Sequence, residues 1–426
     1  MNLYRKLLTV SEINREFKKI VPQENIFLLG KSSNGREIFG AKIGIGKKNA
    51  LVYGFPHPNE AVGALTALQL IKEILNSSDL QNKYTWYIIP CVDPDGAKLN
   101  QEWFKNKLNI NIYINNFFRQ AMGRQVEWSF PFKYKNYSFN RPTKETRLLV
   151  RLIDKTKPSF ICPLHNNGIG GVFWYVTKTM PQGYYQSLIT TCRKLGLPIA
   201  RAKSEGAHME EIRGPFFYCA DALKLNNNFK KKENQKKILP YGNDSIGYAR
   251  TKNKNAFGLI IEAPYFIDNK ISNKRKLKVT KEELQSKRKS IESDIYNFME
   301  NIFNSYQLNK KSVLYKEIRA FLADRNQGIC GAQSKKSSRV RATVADKYAS
   351  EVVSRFYSVV WLGMLKRLIK ESGRSKEMPA ALGLTNRKIS EIIKIINQKS
   401  KFKTAPVSGL VELQLKSILK SVKYLK

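Results

Sequence analysis

The chain contains only three histidines, His57, His165 and His208, and two of them stand where a metal ion could be held. His57 lies in Phe55-Pro56-His57-Pro58-Asn59-Glu60, and His165 in Pro163-Leu164-His165-Asn166-Asn167-Gly168. Each follows a short apolar run that reads as a buried strand. In open α/β sheets ligands gather beyond the carboxyl ends of strands, so two strand-end histidines can converge there. Zinc takes imidazole nitrogen and carboxylate oxygen at about 2.0–2.2 Å, and a catalytic site keeps a fourth position open. Glu60, three residues after His57, is the natural third ligand. If a helix begins at Pro58, a favourable first-turn residue, Glu60 lies in that turn and points back at the same ion. Taken without His165, the His57–Glu60 spacing describes a surface turn better than a metal site. His208 and Glu211 form a rival pair with the same spacing, but no strand precedes them, which suits the rim of a pocket better.

A second kind of chemistry is suggested by Glu262, a carboxylate inside the apolar run Gly258-Leu259-Ile260-Ile261-Glu262-Ala263-Pro264. Burying it costs several kcal/mol unless a partner or solvent is present. A glutamate beside metal-activated water is the expected general base of metal-assisted hydrolysis. An exposed glutamate on an edge strand is the alternative.

These residues need a scaffold of strands that end together. Ala50–Phe55, Thr85–Val92, Ser159–Leu164, Val172–Thr177 and Gly258–Ala263 read as strands, and Asn59–Leu75 and Glu145–Lys155 as helices. In Asn59–Leu75 the residues Ala61, Leu65, Leu68 and Ile71 fall near one face. Strand and helix alternating in this way predict an α/β fold with a mostly parallel or mixed sheet. The turn Asp93-Pro94-Asp95-Gly96 ends one strand. Gly168-Ile169-Gly170-Gly171 is no dinucleotide fingerprint, because no helical pattern follows it.

Taken together, the stretch from about residue 25 to 300 resembles the zinc carboxypeptidases of the carboxypeptidase A type. Gly30-Lys31-Ser32-Ser33-Asn34-Gly35-Arg36-Glu37-Ile38 is similar to the strand pair before the family's site, His57-Pro58-Asn59-Glu60 to its HxxE motif, and Asp93-Pro94-Asp95-Gly96 to its NPDG turn. His165 and Glu262 then match the second histidine and the late glutamate. The resemblance implies a central mixed sheet of about eight strands flanked by helices, with one zinc held by His57, Glu60 and His165. It makes Glu262 the base that activates water and later protonates the leaving amine. The family also uses an arginine to polarise the scissile carbonyl and an Asn-Arg pair to clamp the substrate carboxylate. Arg119 and the pair Asn140-Arg141 occur in that order. Only 23 residues separate Arg141 from His165, so Arg119 is an alternative clamp and Arg147 a third candidate. The family's mobile tyrosine corresponds to Tyr241, 21 residues before Glu262, or to Tyr248. Ile246 falls where the family sets side-chain preference and favours an apolar C-terminal residue, while nearby Asp244 favours a basic one.

The chain has 426 residues and a net charge of +41, from 75 Lys and Arg against 34 Asp and Glu. Apolar residues make up 42%, enough for a large core and against wholesale disorder. Residues 301–426 hold 26 basic and 8 acidic side chains in helical patterns, a higher charge density than the rest. We therefore expect a catalytic domain over residues 1–305, closed by a helix at Ile291–Tyr306. A basic, mainly helical extension over 306–426 should be separable from catalysis. Lysine-rich usage throughout the chain is a neutral explanation of the charge; weak, non-specific binding to nucleic acid or an anionic surface is the functional one. Leu382–Ile389 is faintly similar to the turn before a DNA-recognition helix, and a solvated amphipathic helix explains it as well. Five cysteines without a CxxC, two of them in apolar runs, fit a reducing compartment. No signal-peptide pattern and no membrane-spanning apolar run is found, so a cytoplasmic protein without a membrane span is expected.

Three functions follow from these readings. The first is an exopeptidase acting on peptides with a free C-terminus. The second is an amidohydrolase or deacylase on the same scaffold. The third is an anion-binding protein whose metal site is secondary.

Overall fold

The computed structural model describes residues 4–134, 137–201, 210–219, 241–326, 340–373 and 376–425. Among these, nine strands form a central sheet: β1 (Ile26–Lys31), β2 (Glu37–Ile43), β3 (Lys48–Gly54), β4 (Tyr84–Ile89), β5 (Phe160–Leu164), β6 (Phe173–Val176), β7 (Glu211–Arg213), β8 (Phe216–Tyr218) and β9 (Phe257–Glu262). Their order is β1-β2-β4-β3-β5-β9-β6-β8-β7. The middle, β4-β3-β5-β9, is parallel, and antiparallel pairs flank it. The expected mixed sheet is present, with nine strands rather than about eight; the short outer pair β7–β8 is not evident as strand from sequence.

Alternation along the strands divides the core. Ala50 and Val52 of β3 face one apolar layer, Leu51 and Tyr53 the other. The helices Lys144–Thr156 and Ser245–Lys252 cover the smaller layer. The larger layer holds the helices Val10–Ile20, Val62–Leu75 and Lys281–Ser305, together with most of the extension.

The extension differs from expectation. Its main helices are Val313–Asn326, Ser354–Glu371, Met378–Lys399 and Val407–Tyr424. The turn suggested at Leu382–Ile389 lies inside the helix Met378–Lys399, so no helix–turn–helix forms there. The closing helix is also longer than expected, because the charged run Lys281–Lys289 continues it from a Thr280–Glu283 capping box. Val62–Leu75 is buried nearly all round rather than on one face. The last helix, Val407–Tyr424, lies against it and against Gln182–Lys194. Thr66 donates to Gln414 at 2.7 Å and Trp174 to Ser417 at 3.2 Å. The described residues of 308–425 share one apolar core with the sheet.

Candidate metal centre

β3 and β5 are parallel neighbours with Gly54 opposite Leu164, so the residues following them emerge side by side. Between β3 and His57 the chain turns at Phe55, which has φ of +58°. A phenylalanine in this left-handed region costs about 1–2 kcal/mol and persists only where the surroundings impose it. Phe55 is fully buried. His57–Glu60 forms a turn closed by the Glu60 N–H donating to the His57 carbonyl at 3.1 Å. Glu60 therefore precedes the helix, which starts at Val62, instead of lying in its first turn. The cause is Tyr265, three residues after Glu262. Its hydroxyl accepts from the Ala61 N–H at 2.8 Å and donates to the Asn59 carbonyl at 3.1 Å, occupying groups that would otherwise begin the helix. Gly63 then lets the helix approach β5: a Cβ there would lie 2.8 Å from the Leu164 Cβ.

The result is a buried cluster. His57, Glu60 and His165 are 3%, 2% and 5% exposed. Each offers a ligand atom within 4.8 Å of the others, and the two rings are 5.1 Å apart. His165 Nδ1 lies 3.0 Å from Glu60 Oε2 and 3.9 Å from Glu262 Oε1. Yet His57 Nδ1 and His165 Nε2 lack hydrogen-bond partners, and the one close polar neighbour of Glu60 Oε2 is His165 Nδ1. Buried polar atoms are nearly always satisfied, so two unpartnered imidazole nitrogens beside a buried carboxylate need an explanation. Two imidazoles and a carboxylate are the donor set of catalytic zinc, with one position left over, and the residues fit that ion.

Charge divides the two histidines. Burial, then the charges of Arg119 and His165, push His57 well below its ordinary pKa, so it is neutral. Burial also disfavours a charged His165, but the carboxylates of Glu60, Glu262 and Glu127 outweigh it and raise its pKa to about 9.

Glu262 ends β9, which is flanked by β5 and β6 and is not an edge strand. Its carboxylate is buried beside the cluster. Arg119, with a side chain 27% exposed, places Nη1 3.7 Å from Glu60 Oε1. Asn140 and Arg141 are not brought in. Both are exposed beyond the hairpin strand Tyr137–Phe139, where Arg141 lies over the Phe139 ring at 6.0 Å. Neither forms an ion pair or hydrogen bond with His57, Glu60 or His165. Arg147 is exposed on its helix. Tyr241 is buried edge-on against Trp128, and Tyr248 donates to Asp154 at 2.9 Å. Ile246 is core, and Asp244 caps the helix Ser245–Lys252 through the Gly247 N–H. His208 lies outside the described residues.

The two outer motifs are tied to each other. Asp95 accepts from Ser32 Oγ at 3.0 Å and the Asn34 N–H at 2.8 Å, and it pairs with Arg36. Asp93 accepts from Gln120, the neighbour of Arg119, at 2.7 Å, and burial raises its pKa to about 6. Two residues bordering the site escape sequence reading. One is Tyr265. The other is Glu127, buried and accepting from Tyr53 at 2.6 Å and from Ser245 Oγ at 2.8 Å. Its signal is a lone carboxylate between Val126 and Trp128, the same pattern that draws attention to Glu262.

The family model of the zinc carboxypeptidases matches residues 10–262, more than half of the chain. The chain belongs to the zinc carboxypeptidase family. A zinc carboxypeptidase of Simulium vittatum is 38% identical over 74 residues, 16% of this chain and 24% of that protein, so the chain matches about a quarter of its relative's length. Carboxypeptidase A of Helicoverpa armigera gives a TM-score of 0.37 at 15% identity, covering 62% of this chain and 68% of that one. A metallo-carboxypeptidase of Burkholderia cenocepacia gives 0.35 at 14% identity, covering 62% and 61%. The family match ends at Glu262 and leaves the closing helix and the extension outside it. No helix of the described residues is long and apolar enough to cross a membrane.

Proposed function

We propose that this zinc carboxypeptidase family member is a metallopeptidase that removes the C-terminal residue of a peptide, with one zinc on His57, Glu60 and His165. The observation that carries this reading is the convergence of three buried ligand residues, two of them with unpartnered ring nitrogens, beside a buried Glu262. When bound, zinc supplies a Lewis acid that polarises the scissile carbonyl and acidifies water. Glu262 accepts a proton from the attacking water on its carboxylate and delivers it to the leaving nitrogen. Arg119 directs its guanidinium at the oxygen on which charge develops. His57, held neutral by burial, keeps a lone pair for the metal. Catalytic groups belong to residues 1–305, and residues 306–426 supply backing. The four described cysteines are unpaired, which suits a cytoplasmic setting.

A second reading, an amidohydrolase or deacylase, is favoured by one observation: Asn140 and Arg141 are exposed beside a hairpin, with Arg141 over the Phe139 ring, rather than held among buried groups as a carboxylate clamp. Peptides with free and amidated C-termini, digested side by side and read by mass spectrometry, separate the two. Cleavage of free peptides alone supports the exopeptidase. Equal cleavage of both moves the assignment to the deacylase or an endopeptidase.

A further inference from the structure

The extension touches the backbone of three loops that carry candidate active-site residues. Near Arg119, Arg367 donates to the Phe117 carbonyl at 2.9 Å, and Glu317 accepts from the Ala121 N–H at 3.0 Å. Beyond Glu262, Lys403–Thr404 pairs with Phe266–Ile267, and the Ala405 N–H donates to the Tyr265 carbonyl at 2.9 Å. Past His165, the Gly168 N–H donates to the Tyr357 hydroxyl at 3.0 Å, and Phe356 presses where a Cβ on Gly168 would stand, 2.3 Å from its ring.

The contact with His165 itself is the most specific. Gln414 is the one amide in the apolar stretch Leu410–Leu415 and is fully buried. Its Nε2 donates to the His165 carbonyl at 2.6 Å, while its Oε1 accepts from Thr66 Oγ1 at 2.7 Å. A carbonyl can only accept, so the amide must present nitrogen to His165, and the Thr66 hydroxyl must then donate to the other end. Both ends of the amide are thus specified, one by a metal-site residue and one by the helix that follows Glu60.

We propose that Gln414 is a positioning residue of the metal site: oriented by Thr66, it fixes the His165 backbone, so that the extension outside the family-matched segment sets metal affinity. This rests on His165 being a ligand. Groups that orient ligands typically change metal affinity by about 10–100-fold when removed.

The test is zinc affinity of the folded, metal-free full chain by chelator competition, with thermal unfolding of the same metal-free samples alongside. Gln414→Met keeps length and apolar volume but removes the donor; zinc Kd should rise by about 10–100-fold. Thr66→Val keeps the amide but frees its orientation, and Kd should rise less, in the same direction. A purely structural amide would lower the melting temperature and leave Kd within twofold of wild type, and that result overturns the proposal. Should Gln414→Met not fold, an unchanged Kd in Thr66→Val overturns it alone. A wild-type protein that binds no zinc refutes the underlying metal reading instead, and the inference falls with it.

Discussion

Residues 10–262 and residues 306–426 divide the molecule's chemistry and its burial unequally. The first stretch contains every described candidate for metal binding and proton transfer. The described residues of the second have none, and its excess of basic side chains resembles an appended charged tail. Yet the second buries Phe356, Leu362, Leu365, Leu410 and Ile418 completely against the first. Its Glu351 is held between Lys287, at 2.6 Å, and Lys399, at 2.7 Å, linking the closing helix to the extension. The segment that carries a family's motifs and the segment that must fold together are different lengths of chain. A surface rich in lysine says little about the inner face of the same helices.

The largest expected effect breaks this comparison outright. A chain ending after Leu308 bares the outer side of Val62–Leu75 and the partners of Trp174 and Tyr184. Exposing several core side chains at about 1.5–3 kcal/mol each exceeds the stability of an ordinary domain. Circular dichroism should show no cooperative unfolding, and the product should retain no zinc. A folded, zinc-bearing product would mean that the two regions are separable after all.

Next in size is the proton-transfer step. Glu262→Gln cannot accept the water's proton, so kcat should fall by about 10²–10⁴-fold while bound zinc is unchanged. Full activity in that variant would move the base to another carboxylate, such as Glu127, whose charge also acts on His165. Arg119→Ala should lower kcat by about 10²–10³-fold with a smaller change in KM, as expected for a group aimed at a developing charge. Arg141→Ala, on an exposed hairpin, should leave both constants nearly unaltered. A large rise in KM on losing Arg141 would restore it as the carboxylate clamp.

Much of this was legible before any coordinates. Strand-end histidines and a carboxylate in an apolar strand follow from short continuous apolar runs and the geometry of parallel sheets, and β3, β5 and β9 are buried along nearly their whole length. Glu60 lies before the helix rather than in its first turn, because sequence shows that Pro58 can start a helix but not that Tyr265, two hundred residues away, occupies the starting groups. Asn140 and Arg141 match the family by order along the chain, and order does not fix whether a hairpin folds toward a site or away from it. The role of the extension was hidden for a similar reason: its charge is visible in composition, whereas Gln414 is a single uncharged residue whose partners lie far along the chain.

The smallest effect concerns pH. In the metal-free protein His165 has its pKa raised to about 9, against about 6.5 for an unfolded histidine. Its interaction with the carboxylates therefore contributes stability fully below about pH 6.5 and loses it as pH rises through 9. A proton must also leave before the nitrogen can bind a metal, so zinc affinity should rise by about tenfold per pH unit up to pH 9. Calorimetry in buffers of different ionisation enthalpy should register about one proton released at pH 7. No proton release would contradict the charge assigned to His165.

The most direct test of the central claim is the zinc content of purified wild-type, His57→Ala and His165→Ala proteins by mass spectrometry of the metal. One zinc per wild-type chain and essentially none in either variant is the expected result, since an underfilled site cannot retain the ion. Stoichiometric zinc retained by both variants would contradict the assignment and direct attention to His208.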